Sequence, residues 1–512
     1  MRVLIVGAGF GGIAAAIELR RHGFDDVTLL EAAPELGGTW HYNSYPGAAC
    51  DVPSHFYSYS YAQRRDWSRL CSPQSEILDY LRTVAADFDV ERRIVTGTEV
   101  TACGWDDAAC VWTVHTRDTA GRPGTRQAEA LVLATGQLNQ PAMPPLDGLA
   151  EFAGHSFHSA RWDHEYDLRG KRVAVIGTGA SAVQFVPEIA GQAAQLTVFQ
   201  RSGNWFLPRR NRAYPSALRA LLRRVPAVQE VRRRFLFRYM ELITASIRHP
   251  GTVGRLTRLR AAAFMRWQLR DPEVRRKAWP DYTFGCKRVL FSSAYLPALQ
   301  RADVELVTEP IARIGPTGPV TADGRRHDVD CIIYGTGFKT NDFMFPMEVT
   351  GAGGRSLRDA WAGGAHAHLG ITVPGFPSMF ILYGPNTNTS GGSIIFYLEA
   401  QVGYLRQALA RVRDSGSAAI EVRPEVEAES DRAVQARFAG TAWTRCDSWY
   451  RDGAGRIIAN WPGYMAEYAE RTRTLDPAEF RLLQRPTADP EPAGPGNNSG
   501  GRLGSWRPPG VS

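Results

Sequence analysis

Two copies of an apolar strand, a glycine turn and a helix, far apart in the chain, with an arginine-rich helical stretch after the second, predict an α/β protein. The pattern is that of two Rossmann-like units, the second inserted in the first and itself carrying a helical insertion. The first copy starts with the run Val3–Val6, turns through Gly7-Ala8-Gly9-Phe10-Gly11-Gly12, and returns in Val27–Leu30, which ends in Glu31. The second has the apolar run 173–176, the turn Gly177-Thr178-Gly179-Ala180-Ser181-Ala182, and the run 196–199, which ends in Gln200-Arg201. Arg201 follows Gly177 at the same spacing at which Glu31 follows Gly7. Such a turn opens a helix whose first N–H groups hold a pyrophosphate, and the tip of the next strand reads the adenosine ribose. Gly7, Gly9, Gly12 and Glu31 are therefore candidate contacts in the first unit. Gly177, Thr178, Gly179, Ala180, Ser181, Ala182, Gln200 and Arg201 are candidates in the second. The readers differ in sign. A carboxylate at Glu31 accepts hydrogen bonds from a free ribose diol, whereas the guanidinium of Arg201 suits a 2′-phosphate. One chain with both is expected to bind FAD first and NADPH second.

Along the chain, residues 1–145 read as the first part of the FAD-binding domain, closing on Ala130–Leu133 and Ala134-Thr135-Gly136. Residues 146–208 open the NADPH-binding domain, 209–280 form the basic helical insertion, and 281–375 complete that domain. There, Asp330-Cys331-Ile332-Ile333-Tyr334-Gly335-Thr336-Gly337 repeats the logic of a strand followed by Thr-Gly. Residues 376–484 return to the FAD-binding domain through a strand at 376–385, and 485–512, rich in Pro, Gly and Ser, read as a disordered tail.

At 512 residues the chain needs more than one core, and 44% hydrophobic with 22% charged residues fits a soluble globular protein. A strand entered at Arg2 and the lack of an apolar stretch near the ~20 residues of a bilayer span make the cytoplasm the expected location. Seven cysteines without a C-x-x-C pair argue against a disulfide framework, a metal site and the disulfide reductases, which need a redox-active pair. The net charge of +8 is concentrated between Arg209 and Lys277, where 19 Arg and Lys face 4 Asp and Glu. Val231, Phe235, Met240, Ile243 and Ile247 recur there near helical spacing. The segment reads as a helical insertion with a solvated basic face; an anionic membrane surface or an acidic partner is the functional alternative. No nucleic-acid recognition module is visible.

Between the two nucleotide patterns lies Phe152-Ala153-Gly154-His155-Ser156-Phe157-His158-Ser159-Ala160-Arg161-Trp162-Asp163. This stretch resembles F-x-G-x-x-x-H-x-x-x-W-[P/D], the fingerprint of the Baeyer-Villiger monooxygenases, the class B flavoprotein oxygenases. Flavin-containing monooxygenases are similar but carry Tyr or Phe where Trp162 stands. The resemblance runs from Gly7 to about Phe480. Gly37-Gly38-Thr39-Trp40, Tyr45-Pro46-Gly47, Cys50-Asp51, Gly384-Pro385-Asn386-Thr387-Asn388 and Asn460-Trp461-Pro462-Gly463 are most similar to the branch that includes 4-hydroxyacetophenone monooxygenase.

The resemblance implies that NADPH reduces the flavin, O2 adds at its C4a, and the resulting peroxide attacks a ketone to give an ester or lactone. An anionic oxidant needs a permanent cation beside it, and Arg is the side chain that cannot lose its charge. In Phe284-Gly285-Cys286-Lys287-Arg288 the resemblance assigns that role to Arg288, and a second contact to the NADP 2′-phosphate to Lys287. Asp51 matches the aspartate that orients the arginine. Gly38, Thr39, Trp40, Tyr57, Val100 and Asn386 are the further flavin-site candidates. His158 and Trp162 are expected in the hinge between domains, coupling NADP binding to domain motion rather than doing chemistry. Two departures stand out: Tyr334-Gly335-Thr336-Gly337 in place of the commoner Ala-Thr-Gly, and Ala182 at the third glycine position.

Two other readings remain open at this level. One is a flavin N- or S-oxygenase of amines or sulfides. The other is a non-oxygenating NADPH oxidoreductase or a regulatory flavin-binding protein. The implied partners are a small-molecule ketone and O2, with no metal.

Overall fold

The computed structural model describes residues 1–486 other than Arg210 and Ser390, so all but the start of the tail expected to be disordered lies outside the described residues. Two five-stranded parallel sheets form its centre. In the first the order is Met379–Ile381, Ala130–Leu133, Val3–Val6, Val27–Leu30 and Ile94–Val95. In the second it is Val304–Val307, Gln195–Phe199, Arg172–Ile176, Cys331–Tyr334 and His155–His158. Their inner strands are largely apolar runs because both faces are covered: helices pack on one face of each sheet, while the other faces Trp105 and Trp112 in the first sheet and Ile314 and Val329 in the second. Helices Phe10–Arg21 and Ala180–Ile189 leave the two glycine turns, and Ile394–Ser415 packs beside the first of them. The α/β class with two dinucleotide-binding units is the fold of this chain.

Three features differ from the sequence reading. The fingerprint is not a free linker: His155–His158 is an edge strand, paired in parallel with Cys331–Tyr334. The return strand is only Met379–Ile381, because the chain turns away at Tyr383, whose φ is +61°. Cys286 and Cys446, 160 residues apart, are joined as a disulfide, against the expectation of a chain without one. Their pairing comes from two loops brought together by the fold, which no local spacing announces. A fourth feature was not read at all. Thr98–Asp106, Val111–Asp118 and Pro123–Ala128 form an antiparallel meander that takes Glu348–Thr350 at its edge.

The basic insertion folds as helices Ser216–Arg224, Pro226–Arg248, Val253–Gln268 and Pro272–Ala278. Leu236, Met240 and Ile247 join a core with Phe56, Tyr397 and Trp443, while Ile243 belongs to the core of the second sheet. The insertion is thus anchored to both halves. Among the described residues no helix is long and apolar enough to cross a membrane.

Candidate active site

Both glycine turns open on one cavity of about 1810 Å³, well beyond the roughly 300–1,000 Å³ of ordinary small-molecule pockets. Each turn approaches the end of a neighbouring strand too closely for a side chain. Gly7 has φ +104°, and a Cβ there would lie 2.6 Å from the carbonyl oxygen of Ala134. Gly177 has φ +107° and faces the carbonyl of Gly335 in the same way. The third positions do a different job. A Cβ at Gly12 would run into the carbonyl of Gly7, so helix and turn meet through bare backbone. In the second unit Ala182 is fully buried, and a Cβ at Gly335 would lie 3.3 Å from its methyl. Ala134 and Gly335 occupy equivalent strand ends, so the methyl group has changed sides. The glycine at the strand end thus leaves room for the alanine at the third turn position.

The readers stand where the spacing puts them. Glu31 is buried to 6% exposure, and its carboxylate accepts from the Ala8 N–H at 2.7 Å and the Ala33 N–H at 2.9 Å. Each oxygen accepts one of these bonds and keeps further acceptor capacity, and Glu31 lines the cavity. Arg201 is exposed, and Lys287 lies close by, donating from Nζ to Ser202 Oγ at 3.2 Å. Burial, reinforced by the charge of Arg201, pulls the Lys287 ammonium below its usual range. Two cations that feel each other's charge on one cavity wall fit a doubly charged phosphate. Gln200 lines the cavity but spends its amide on the Lys277 carbonyl, 2.8 Å away.

Arg288 and Asp51 meet where the two halves of the cavity join. Arg288 precedes the two-residue strand Leu290–Phe291, which pairs with Phe206–Leu207; Asp51 lies in a loop of the first unit held by Arg209, which donates to the Cys50 carbonyl at 3.0 Å. Arg288 Nη2 donates to Asp51 Oδ2 at 2.6 Å. Burial alone would raise the Asp51 carboxyl, but the charge and hydrogen bond of Arg288, with the charge of Arg209, outweigh it and lower the pKa. The same carboxylate raises Arg288 further, against the burial of the guanidinium. The pair is therefore ionised throughout any working pH. Arg288 Nε is buried and has no partner, which leaves a donor for a bound group.

Gly9, Gly38, Thr39, Trp40, Tyr57, Val100, Thr178, Gly179, Ala180 and Ser181 also line the cavity. Trp40 Nε1 donates to the Tyr57 hydroxyl at 3.2 Å. Three candidates do not line it. Gly12 and Ala182 act in packing, and Asn386 is turned away, with its amide on the carbonyls of Ile457 at 2.7 Å and Asn460 at 3.0 Å. Its neighbour Asn388 lines the cavity instead, accepting from the Tyr383 hydroxyl at 2.9 Å. The sequence reading also passed over Arg161 and Ser202. Arg161 sits inside the fingerprint, lies 3.9 Å over the Tyr42 ring and faces the cavity; Ser202 directly follows Arg201. His158 accepts on Nδ1 from the Ala160 N–H at 3.1 Å and is 7% exposed. Burial, with the nearby charge of Arg161, brings it down to about 4, so it is neutral and lies outside the cavity lining.

Two nucleotide turns on one cavity, with an ionised Arg–Asp pair at their junction, define a two-nucleotide oxidoreductase. Residues 1–234 match the family model described as pyridine nucleotide-disulphide oxidoreductase. A Baeyer-Villiger monooxygenase of Streptomyces coelicolor is 42% identical over 488 residues, covering 94% of this chain and 93% of its own. Another from Pseudomonas aeruginosa is 40% identical, covering 95% and 92%. Among solved structures, an oxidized steroid monooxygenase bound to NADP is similar with a TM-score of 0.84 at 33% identity, and a closed cyclohexanone monooxygenase with 0.84 at 28%. Each covers 94% of this chain and 99% of its own. The chain belongs to the Baeyer-Villiger monooxygenase family. None of these relatives carries the 4-hydroxyacetophenone name, so membership stands without that branch.

Proposed function

We propose that this chain is an FAD-containing, NADPH-dependent monooxygenase that inserts one oxygen of O2 next to a ketone carbonyl, giving an ester or lactone. The observation that carries the reading is the Arg288–Asp51 pair, 2.6 Å apart at the junction of the two nucleotide turns. The turn at Gly7 and Gly9, with Glu31, would hold FAD; the turn at Gly177 and Gly179, with Arg201, Lys287 and Ser202, would hold NADPH. When bound, the two cofactors supply the reducing hydride and the oxygen transfer.

The chain's own part is position and charge. Arg288 sets a permanent cation beside the reacting oxygen, where low water content makes a fixed charge count for far more than in bulk solvent. Asp51 fixes the direction of the guanidinium and cannot take its proton. Trp40 and Tyr57, hydrogen-bonded to each other, form part of the cavity wall, and Arg161, 3.9 Å over the Tyr42 ring, adds a further cation toward the cavity. The domain division is proposed as read above, 1–145 and 376–484 for FAD and 146–208 and 281–375 for NADPH, except that the stretch 343–373 falls with the FAD-binding unit, where Met347, Val349, Leu357 and Trp361 share a core with Trp105 and Leu131. The cytoplasm is the proposed working compartment.

The test is oxygenation by the purified protein of a panel of ketones, sulfides and amines with NADPH, followed by product identification. Esters or lactones from ketones support the reading. Oxygenation of sulfides or amines alone, with every ketone untouched, overturns it in favour of the N- or S-oxygenase.

A further inference from the structure

We propose that the helical hairpin formed by Pro226–Arg248 and Val253–Gln268 docks this enzyme on an anionic lipid surface. Large apolar side chains are rarely left in water in clusters, yet eight of the twelve exposed ones among the described residues fall between Leu221 and Trp267. On the first helix Val231, Phe235 and Leu242 are 67%, 68% and 52% exposed. Steps of four and seven residues put all three on one stripe. On the second helix Leu256, Leu259 and Trp267 are 71%, 54% and 65% exposed, and they too share one stripe. The face expected from sequence to be merely basic and solvated therefore also carries exposed apolar side chains, interleaved with exposed arginines such as Arg238 and Arg260.

The cations around these stripes say what covers them. Val253–Gln268 contains Arg255, Arg258, Arg260 and Arg266 and no acidic residue. None of these four has an acidic partner among the described residues; Arg266 lies over the Trp279 ring. On the first helix Glu230 is taken by Arg234 at 3.0 Å, and Glu241 accepts from the Ala466 N–H at 3.1 Å. A helix that interleaves unpaired arginines with exposed Leu and Trp has the chemistry of an interfacial helix: the apolar stripe enters the headgroup boundary and the guanidinium groups stay at the phosphates. A purely acidic protein surface would satisfy the arginines but leave the stripes in water, whereas a lipid interface meets both without matched pockets. The other side of the first helix is fixed in the body of the enzyme, where a side chain at Gly285 would meet Ile247 at 2.9 Å. The helix that carries the docking face thus packs against the loop that carries Lys287 and Arg288.

Co-sedimentation of the FAD-loaded full chain with vesicles tests this, and it reads binding independently of turnover. Vesicles of phosphatidylcholine alone and of phosphatidylcholine mixed with phosphatidylglycerol are compared across a salt series. Binding is expected only with the anionic lipid and is expected to weaken with salt. Replacing Arg255 and Arg258 by Gln together is expected to weaken it by roughly fivefold per arginine. The pair Leu256→Ser with Trp267→Ser is expected to weaken it by about tenfold or more. Both variants are expected to keep their flavin and the parent's turnover in free solution. No binding to anionic vesicles at low salt overturns the proposal. So does binding that the arginine changes abolish but the Ser changes leave intact, which would mark charge adsorption without entry of the apolar stripes.

Discussion

Arg288 Nη2 donates to Asp51 Oδ2 at 2.6 Å across 237 residues of sequence, bringing a loop of the inserted unit onto a loop of the first. The contact is a charge pair and an orienting device at once. Asp51→Asn keeps an oxygen acceptor but loses the charge, so the guanidinium is held less firmly. Flavin content is expected to stay near that of the parent, while ester formation drops roughly 10- to 100-fold, as a small misplacement of a charged group does. Flavin absorbance and product yield per NADPH check this. Unchanged coupling would show that Asp51 does not position Arg288.

Arg201 and Lys287 line the same cavity and feel each other's charge, with Lys287 hydrogen-bonded to Ser202. Loss of a charged hydrogen bond costs about 1.5–3 kcal/mol, so Arg201→Ala is expected to raise the NADPH KM by roughly ten- to hundredfold and to leave NADH nearly unaffected. Steady-state kinetics with both nucleotides decide the point. Equal losses with the two would remove Arg201 as the 2′-phosphate reader.

The methyl of Ala182 occupies the space that Gly335 leaves open. Gly335→Ala is therefore expected to weaken NADPH binding while FAD stays bound. Adding Ala182→Gly is expected to restore much of it, since the double variant recreates the arrangement of Gly12 with Ala134. Nucleotide titration of the three variants measures the rescue, and additive losses would refute the compensation.

The nucleotide units and their readers were legible because their chemistry is local. A glycine turn, the strand before it and the tip of the next strand share one short stretch of chain, and backbone sterics dictate their residue types. Asp51 and Arg288 were reached only through family resemblance, because nothing near either residue points to the other. Cys286–Cys446 was missed for the same reason. Asn386 was misplaced because neighbouring residues in a loop can face opposite ways: Asn388 faces the cavity, and Asn386 ties down Ile457 and Asn460. The antiparallel meander at 98–128 alternates less cleanly than a half-exposed sheet, its outer strand Pro123–Ala128 being almost wholly exposed.

His158 is neutral in the folded chain, its pKa brought down to about 4 by burial, while in the unfolded chain it titrates near 6.5. A histidine with a lowered folded pKa favours unfolding as acid is added, because the unfolded chain binds the proton first. Its contribution is flat above about pH 7.5, and stability falls as pH drops through 6.5 toward 4, by about 2 kcal/mol at pH 5. His158→Asn keeps an acceptor for the Ala160 N–H and is expected to lessen the acid sensitivity of the melting temperature. Melting curves of parent and variant from pH 5 to 8 check it; identical slopes would mean that folding does not shift the titration of His158.

The oxygenase reading depends most on Arg288, and its replacement by alanine is the most direct measurement. NADPH oxidation, hydrogen peroxide and ester are followed together in the purified variant. Arg288→Ala is expected to retain FAD, to make little or no ester, and to turn the NADPH it consumes into hydrogen peroxide; Arg288→Lys is expected to rescue only in part, because a compact ammonium lacks the planar fork. Ester formation by Arg288→Ala near the parent rate, with NADPH tightly coupled to product, would contradict the assignment of the essential cation to Arg288.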